Sequence, residues 1–327
     1  VSDGDVQTQR ASSYHYLGLA AHYRAAHEEA EDWYRKSVEI NEPLGNEAEC
    51  ADNYYQLGLM AQARKRYQEA DEWHVKALEI RERMGEEAEV AAGYHQLGLA
   101  AEGLVDLNRA FDMFIKAQGA YERLEDKASA AAVYHRLGLI AQTHFDYEDA
   151  SGWYQRALLN YEELGDEDSG GNDLFQLGVM VLRRQEYEEA DEWLRQALEV
   201  YRRTQNEAGD AHTCHHRGVV AHAQGRFEEA DEWYRRALES FLTREDDISA
   251  ASTWGQLGLL SDQLGNHADA VWYVAHTYEI AREHDLTLID PAKAHLSDLR
   301  SKIGTDRFLA CWQEVSDSDV LSELGGV

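Results

Sequence analysis

The densest group of side chains able to hold a ligand or a metal is His212, Cys214, His215, His216 and His222. His212, His215 and His216 share a helical face at three-and-four spacing, and His222 lies seven residues beyond His215. Imidazole and thiolate bind zinc at about 2.0–2.3 Å, but these positions do not match a zinc ligand set of known spacing, so no metal is expected. Histidines titrate near neutrality, which makes a pH-sensitive surface a milder reading of the same cluster. Catalytic signatures are missing: the chain has no G-x-x-x-x-G-K-S/T phosphate loop, no G-x-G-x-x-G, no G-x-S-x-G and no H-E-x-x-H. Its carboxylates are plentiful but run along solvated faces. A non-catalytic chain without a cofactor is expected.

The elements that position these residues follow from a repeat. The pair Leu-Gly falls at Leu17-Gly18, Leu57-Gly58, Leu97-Gly98, Leu137-Gly138, Leu177-Gly178 and Leu257-Gly258, with Arg217-Gly218 at the remaining register point. Twelve residues after each glycine stands Ala30, Ala70, Ala110, Ala150, Ala190, Ala230 or Ala270. Seven copies with an unbroken 40-residue period define a repeat architecture. In copy two, Tyr54, Leu57, Met60, Ala61 and Arg64 keep helical spacing, and so do Ala70, Trp73, His74, Ala77, Leu78 and Arg81. The two helices break near Lys65 to Tyr67, and Met84-Gly85-Glu86 ends the copy with a glycine able to take the left-handed conformation. One such pair cannot bury its own apolar stripes, but stacked pairs can, which predicts an all-α solenoid.

These copies resemble tetratricopeptide repeats. Tyr54, Leu57, Gly58, Tyr67, Ala70, His74 and Ala77 occupy that family's motif places in copy two, and Tyr134, Leu137, Gly138, Tyr147, Ala150, Tyr154 and Ala157 occupy them in copy four. The family's usual period is about 34 residues, so each copy here carries extra residues, expected to lengthen the helices around the inter-repeat turn. The usual proline after the second helix is replaced, by Glu82 in copy two and Glu122 in copy three, and copy three has Leu107 and Met113 in place of aromatics. Cys214 falls on an aromatic core place of the motif. The longer period is similar to kinesin-light-chain-like and Pins-like repeats. More closely, it resembles the C-terminal repeats of bacterial signal-transducing NTPases with numerous domains (STAND, NLR-like proteins). The resemblance implies a right-handed α-solenoid of seven helix pairs, a protein-binding role, and a sensor or regulatory place in a bacterial signalling or defence protein.

Composition narrows the partners. Against 31 Lys and Arg stand 62 Asp and Glu, a net charge of −31. Nucleic acid needs a basic face and an anionic membrane surface needs a polybasic one, so both are excluded as expected partners. Cys50, Cys214 and Cys311 are scattered thiols rather than a disulfide framework, which fits a reducing cytoplasm. Apolar runs fall short of the ~18–20 residues of a membrane span, and the start at Val1 reads as a domain boundary.

Taken in order, 1–9 reads as polar and frayed or extended, and 1–286 as the seven repeats. Asp168-Ser169-Gly170-Gly171 opens copy five, and two adjacent glycines predict a late or irregular helix start there and a hinge in the superhelix. Residues 287–327 read as a C-terminal cap and short tail, with Asp290 as N-cap, Pro291 at the first helical position and a helix over 292–303. A second helix is expected over 305–315 around Phe308, Leu309 and Trp312, a segment that resembles the tail of the bacterial STAND repeats. The end from Ser316 should be mobile apart from a helical turn over 320–324.

In the tetratricopeptide family the first helix of each pair lines the concave groove. Three residues before each glycine come His15, Tyr55, His95, His135, Phe175, His215 and Gly255. One after it come Leu19, Leu59, Leu99, Leu139, Val179, Val219 and Leu259, and four after it His22, Gln62, Glu102, Gln142, Leu182, His222 and Asp262. The Leu/Val row reads either as plain core or as the floor of a peptide-binding surface. The expected groove residues are Tyr55, His95, Leu99, His135, Arg136, Leu139, Phe175 and His215, engaging a protein or peptide segment by aromatic and aliphatic anchors. Arg136 is the sole cation matching the co-chaperone carboxylate clamp, so acidic C-terminal tails are not expected ligands. The acidic runs, such as Glu28-Glu29-Ala30-Glu31-Asp32 and Glu188-Glu189-Ala190-Asp191-Glu192, favour helix N-termini and solubilise the opposite face. Two rival functions stand beside this one. They are homo-oligomerisation through the repeats or the Phe308/Trp312 tail, and metal or small-molecule sensing through the histidines of copy six.

Overall fold

The computed structural model describes residues 3–284, 287–316, 318, 321 and 324. Among these residues are sixteen helices and no strand. The pairs are α1 (Asp3–Tyr23) with α2 (His27–Leu44), α3 (Glu47–Ala63) with α4 (Tyr67–Met84), α5 (Glu87–Gly103) with α6 (Leu107–Arg123), and α7 (Lys127–Thr143) with α8 (Tyr147–Leu164). They continue as α9 (Glu167–Arg183) with α10 (Tyr187–Arg203), α11 (Glu207–Ala223) with α12 (Phe227–Thr243), and α13 (Asp247–Gln263) with α14 (His267–Glu283). Two further helices, α15 (Ile289–Ile303) and α16 (Thr305–Trp312), complete the chain. The chain divides into two compact units, Val1–Gly165 and Asp166–Val327. Within each unit every helix packs on its sequence neighbours in the manner of a tetratricopeptide solenoid.

The Leu-Gly signal has a packing cause. A Cβ on Gly138 would stand 2.7 Å from the ring of Tyr154, sixteen residues on in α8. The glycine lets the second helix press a large ring, fully buried, against the backbone of the first. His74 in α4 takes that ring's place in copy two and Phe114 in α6 takes it in copy three; both are fully buried.

The turns show a tighter period than the sequence does. A residue with positive φ recurs every 20 residues from Ala25 to Gly265, within pairs and between them alike. Gly85 fills its place as expected, with φ 71° and αL geometry at the end of α4. Val105, Glu125, Phe145 and Gln205 fill the same role without glycine, at φ 56–61°. Glycine spacing alone therefore under-reports these turns, because neighbouring helices hold the αL conformation against its intrinsic cost.

Several sequence expectations need correction. Residues from Asp3 are already helical, so the polar start is neither frayed nor extended. In copy five, α9 starts on register at Glu167, with Asp166 accepting from the Ser169 amide, and runs without irregularity. Gly170 and Gly171 are buried inside it, and a Cβ at Gly171 would lie 2.9 Å from Val200 and 3.2 Å from Tyr201. Gly171 thus admits side chains of α10, and the pair does not break the helix. The helix α15 begins at Ile289, with Leu288 at the N-cap, so Asp290 and Pro291 lie inside its first turn. The helix α16 stops at Trp312, short of Val315. Most of the expected turn over 320–324 lies outside the described residues. Phe308 and Trp312 are buried with Leu296, Leu299 and Tyr278 in the core beneath the cap, so they offer no surface for dimerisation.

The acidic runs also do more than solvate. In the first unit Glu31 of α2 pairs with Arg64 and Arg66 of the next copy, and Arg35 reaches Glu69 at 2.7 Å. Burial by itself would raise the Glu31 carboxyl, but the guanidinium groups of Arg66 and Arg35 hold it below the usual range. In the second unit Arg217, standing where the other copies have leucine, lies over the Trp233 ring at 4.3 Å and pairs with Asp191 at 3.0 Å. Carboxylates of one second helix thus bind cations of the following copy.

Candidate functional site

The first helices present the expected rows on one face, half-buried rather than sealed. Leu19, Leu59 and Leu99 pack at the margins of buried clusters, as does Val219 in the second unit. The Leu/Val row is neither plain core nor a fully open floor, since Val179 is buried while Leu259 stands 48 % exposed.

In the first unit the predicted residues are tied into neighbours. Tyr55 meets the buried His74 edge-on at 5.5 Å and lines a cavity of about 380 Å³ with Asp52, Gln56, Leu78, Arg81 and Glu89. Arg81 pairs with Asp52 across that cavity. His95 lies edge-on to Phe114 and Tyr121, and burial pushes its imidazole down to about 4. His135 lies 5.6 Å from the Tyr154 ring. Leu139 is half-buried one helical step from it. Arg136 is not a free clamp cation, because Glu102 of the preceding first helix stands 3.6 Å from it.

The second unit holds the larger site. A cavity of about 570 Å³ opens on the first-helix face between α9, α11 and α13. Val179, Leu182, Val219, Ala223 and Phe241 supply apolar surface, and His212, His215, His216, Ser249, Ser252, Gln256 and Gln185 supply neutral polar groups. Arg183, in the last turn of α9, is the one charged residue of its lining, and no carboxylate lines it. In a chain with a net charge of −31 that is a locally inverted environment.

The histidines are held from behind. His215 Nδ1 lies 2.9 Å from Thr253 Oγ1 of α13, and His216 Nδ1 donates to the His212 carbonyl oxygen at 3.0 Å. Phe175 stands edge-on to His216 at 5.1 Å, and His212 leans on Phe241 at 5.0 Å. Burial pushes His215 down to about 3 and His216 down to about 4, so these two rings stay neutral near neutrality. Cys214 turns away from the cavity. It is fully buried, bonds Asp210 at 3.2 Å, and burial pushes its thiol up to about 12. Among the described residues no three His, Cys, Asp or Glu groups converge as a metal-binding set. No helix there is long and apolar enough to cross a membrane.

Of the predicted groove residues, His215 lines this cavity and Phe175 supports it through His216. His212 and His216 belong to the histidine cluster of copy six rather than to the expected groove row. Arg183, Gln185 and Gln256 passed unnoticed, because surface polar residues on helices carry no local signal. Their one trace was positional: Arg183 stands five residues after its glycine, where the first unit has Ala63, Gly103 and Thr143.

Comparison with known proteins agrees with the geometry. Tetratricopeptide repeat profiles match residues 129–203 and 210–283, and a second profile of the same description matches 10–42 and 52–84. A search of curated protein sequences finds no match. Among solved structures, the apo form of RapI superposes with a TM-score of 0.65 at 16% identity, covering 84% of this chain and 99% of that one. A Signal Transduction ATPase with Numerous Domains (STAND) protein with a tetratricopeptide repeat sensor, from Pyrococcus horikoshii, gives 0.67 at 15% identity, covering 96% of this chain and 49% of that one. A Rap protein complexed with Competence and Sporulation Factor gives 0.51 at 15% identity, covering 83% and 74%. Likeness at such identities concerns the fold, and the profiles carry the assignment. With both profiles together spanning more than half of it, the chain belongs to the tetratricopeptide repeat family.

Proposed function

We propose that this chain is a non-catalytic interaction module that captures a protein or peptide segment on the face lined by the first helices. The cavity of about 570 Å³ carries the reading. It combines an apolar floor with a few fixed polar groups, the composition of a recognition site. The STAND protein's repeat sensor and the Rap protein complexed with a factor support a sensor or regulatory part in a bacterial signalling or defence protein, working in the cytoplasm, where three free thiols are at home. In that arrangement the repeats of 1–286 carry the ligand-reading faces, with Tyr55, His95, Leu99, His135 and Leu139 on that of the first unit, and 287–327 form the cap. The test is selection of a displayed random-peptide library on the immobilised chain. Peptides should enrich over a heat-denatured control and lose at least tenfold in affinity on Leu182→Glu, with the melting temperature as a check on folding. Failure to enrich any sequence would sink the reading.

A second reading, self-association, rests on α1. Leu17 is 44 % exposed, whereas Leu57 and Leu97 are buried, because later copies bury this stripe against a preceding second helix. A mass that rises with concentration and falls to monomer in Leu17→Glu supports it, and a strict monomer removes it.

A further inference from the structure

The hydrogen bonds behind the two cavity histidines fix what the cavity can recognise. The His212 carbonyl oxygen can only accept, so His216 carries its proton on Nδ1. Thr253 Oγ1 donates its one proton to the Ser249 carbonyl oxygen at 2.8 Å, so toward His215 it must accept, and His215 also carries its proton on Nδ1. A neutral imidazole protonated on Nδ1 has a bare lone pair on Nε2. Both rings line the cavity, 5.2 Å apart between centroids, and among the described residues their hydrogen bonds run through Nδ1 and not Nε2. The cavity therefore offers two adjacent acceptors set beside Val179, Val219 and Phe241.

Its charge points the same way to a specific ligand. Within the second unit most arginines are ion-paired, Arg184, Arg202, Arg203 and Arg217 among them, and Arg244, Arg300 and Arg307 share with Arg183 the lack of an ion pair among the described residues. Arg183, at the cavity, has no ion pair among the described residues despite the surplus of carboxylates around it. An exposed guanidinium left unneutralised beside an apolar pocket suits an incoming anion.

We infer that the cavity takes a peptide segment in which a tryptophan or tyrosine stands next to a carboxylate. The ring fills the apolar floor, its N–H or O–H donates to Nε2 of His215 or His216, and the carboxylate pairs with Arg183. Tryptophan and tyrosine are the side chains that join a large apolar body to a single donor, and they dominate binding energy at protein interfaces. The inference rests on the peptide-capture reading above and specifies its ligand.

The probe is the pentapeptide acetyl-Gly-Glu-Trp-Glu-Gly-amide, titrated into the full chain by calorimetry, with two controls: Trp replaced by Phe, which deletes the donor, and both Glu replaced by Gln. The parent peptide should bind at least tenfold tighter than the Phe peptide and about fivefold tighter than the Gln peptide. The Trp-over-Phe preference should vanish when His215→Phe and His216→Phe are combined, and the Glu-over-Gln preference should vanish in Arg183→Gln. Arg183 lies exposed at the cavity mouth, so that variant stays folded even where a histidine variant does not. Equal binding of the three peptides, or preferences that survive both variants, would overturn the inference. A library that enriches other sequences at this face while the three probes do not bind would overturn it too and leave peptide capture standing. If neither library nor probes bind, both fall together.

Discussion

The two compact units are built from one repeat, yet their first-helix faces differ in chemistry. In the first unit Arg136 of a first helix meets Glu102, and Arg81 of α4 meets Asp52 across the smaller cavity. In the second unit the corresponding cavity is larger, lacks a carboxylate and keeps Arg183 without an ion pair. The frame of Leu, Gly and Ala is the same in both. What changes is the residue at a few groove-facing offsets, where Asp52 becomes His212 and Gln56 becomes His216. A repeat scaffold thus separates stability, held by shared positions, from recognition, held by positions the frame leaves free.

If the frame is common, damage to it should cost the same in either unit. Gly138→Ala in the first and Gly218→Ala in the second each force a methyl to within 2.7 Å or less of a buried tyrosine ring. Each should lose about 3 kcal/mol in denaturant unfolding, and a loss in one unit alone would break the comparison. Ion pairing should separate the units. Asp191→Ala strips the carboxylate from the nearly buried Arg217 and should cost about 2–3 kcal/mol. Asp71→Ala in the first unit removes the partner of the more exposed Arg109 and should cost under about 1 kcal/mol. Hydrogen exchange resolved by helix would show each loss in its own unit.

Acid gives a further test. His74 in the first unit stands where copies one, three, four and six have a tyrosine or phenylalanine ring, both its nitrogens lack a hydrogen-bond partner among the described residues, and burial pushes it down to about 4. The folded chain keeps it neutral while an unfolded imidazole protonates near pH 6.5. Its contribution is therefore full above about pH 6.5, is lost as pH falls toward 4, and is constant below that. His74→Phe, which copies Phe114, should remove about 2 kcal/mol of the stability lost between pH 7 and pH 5. An unchanged acid slope would show that His74 is not the group responsible. The smallest effect concerns turns. Val105 is a β-branched residue at φ 60°, 78 % exposed, where the second unit has Gly225 and Gly265. Val105→Gly should gain about 1 kcal/mol, visible as a higher melting temperature, and a loss would mean that its side chain packs.

Much of the fold was legible because the repeat is a local pattern. Leu57, Gly58, Ala70 and His74 recur at offsets that place them on touching helix faces, so spacing alone predicts which residues meet. The turns were half legible, since Gly85 announces itself while Val105 and Phe145 take the same conformation without a signal. Gly170-Gly171 misled, because glycine's helix cost is local but its use against Val200 and Tyr201 is not. Among site residues, the row through His95, His135 and His215 was visible by register, whereas the absence of a partner for Arg183 was not.

The sequence by itself determined the helix pairs, their number and the face each would bury, since these depend on side chains a few residues apart. Only the tertiary structure decided which cations are neutralised, which histidine nitrogens are bare and where a cavity opens. Those depend on groups from helices about 40 residues apart, as with His215 and Thr253 or Arg136 and Glu102. Charge pairing and tautomer are properties of the contact, and no single residue's type or spacing records them.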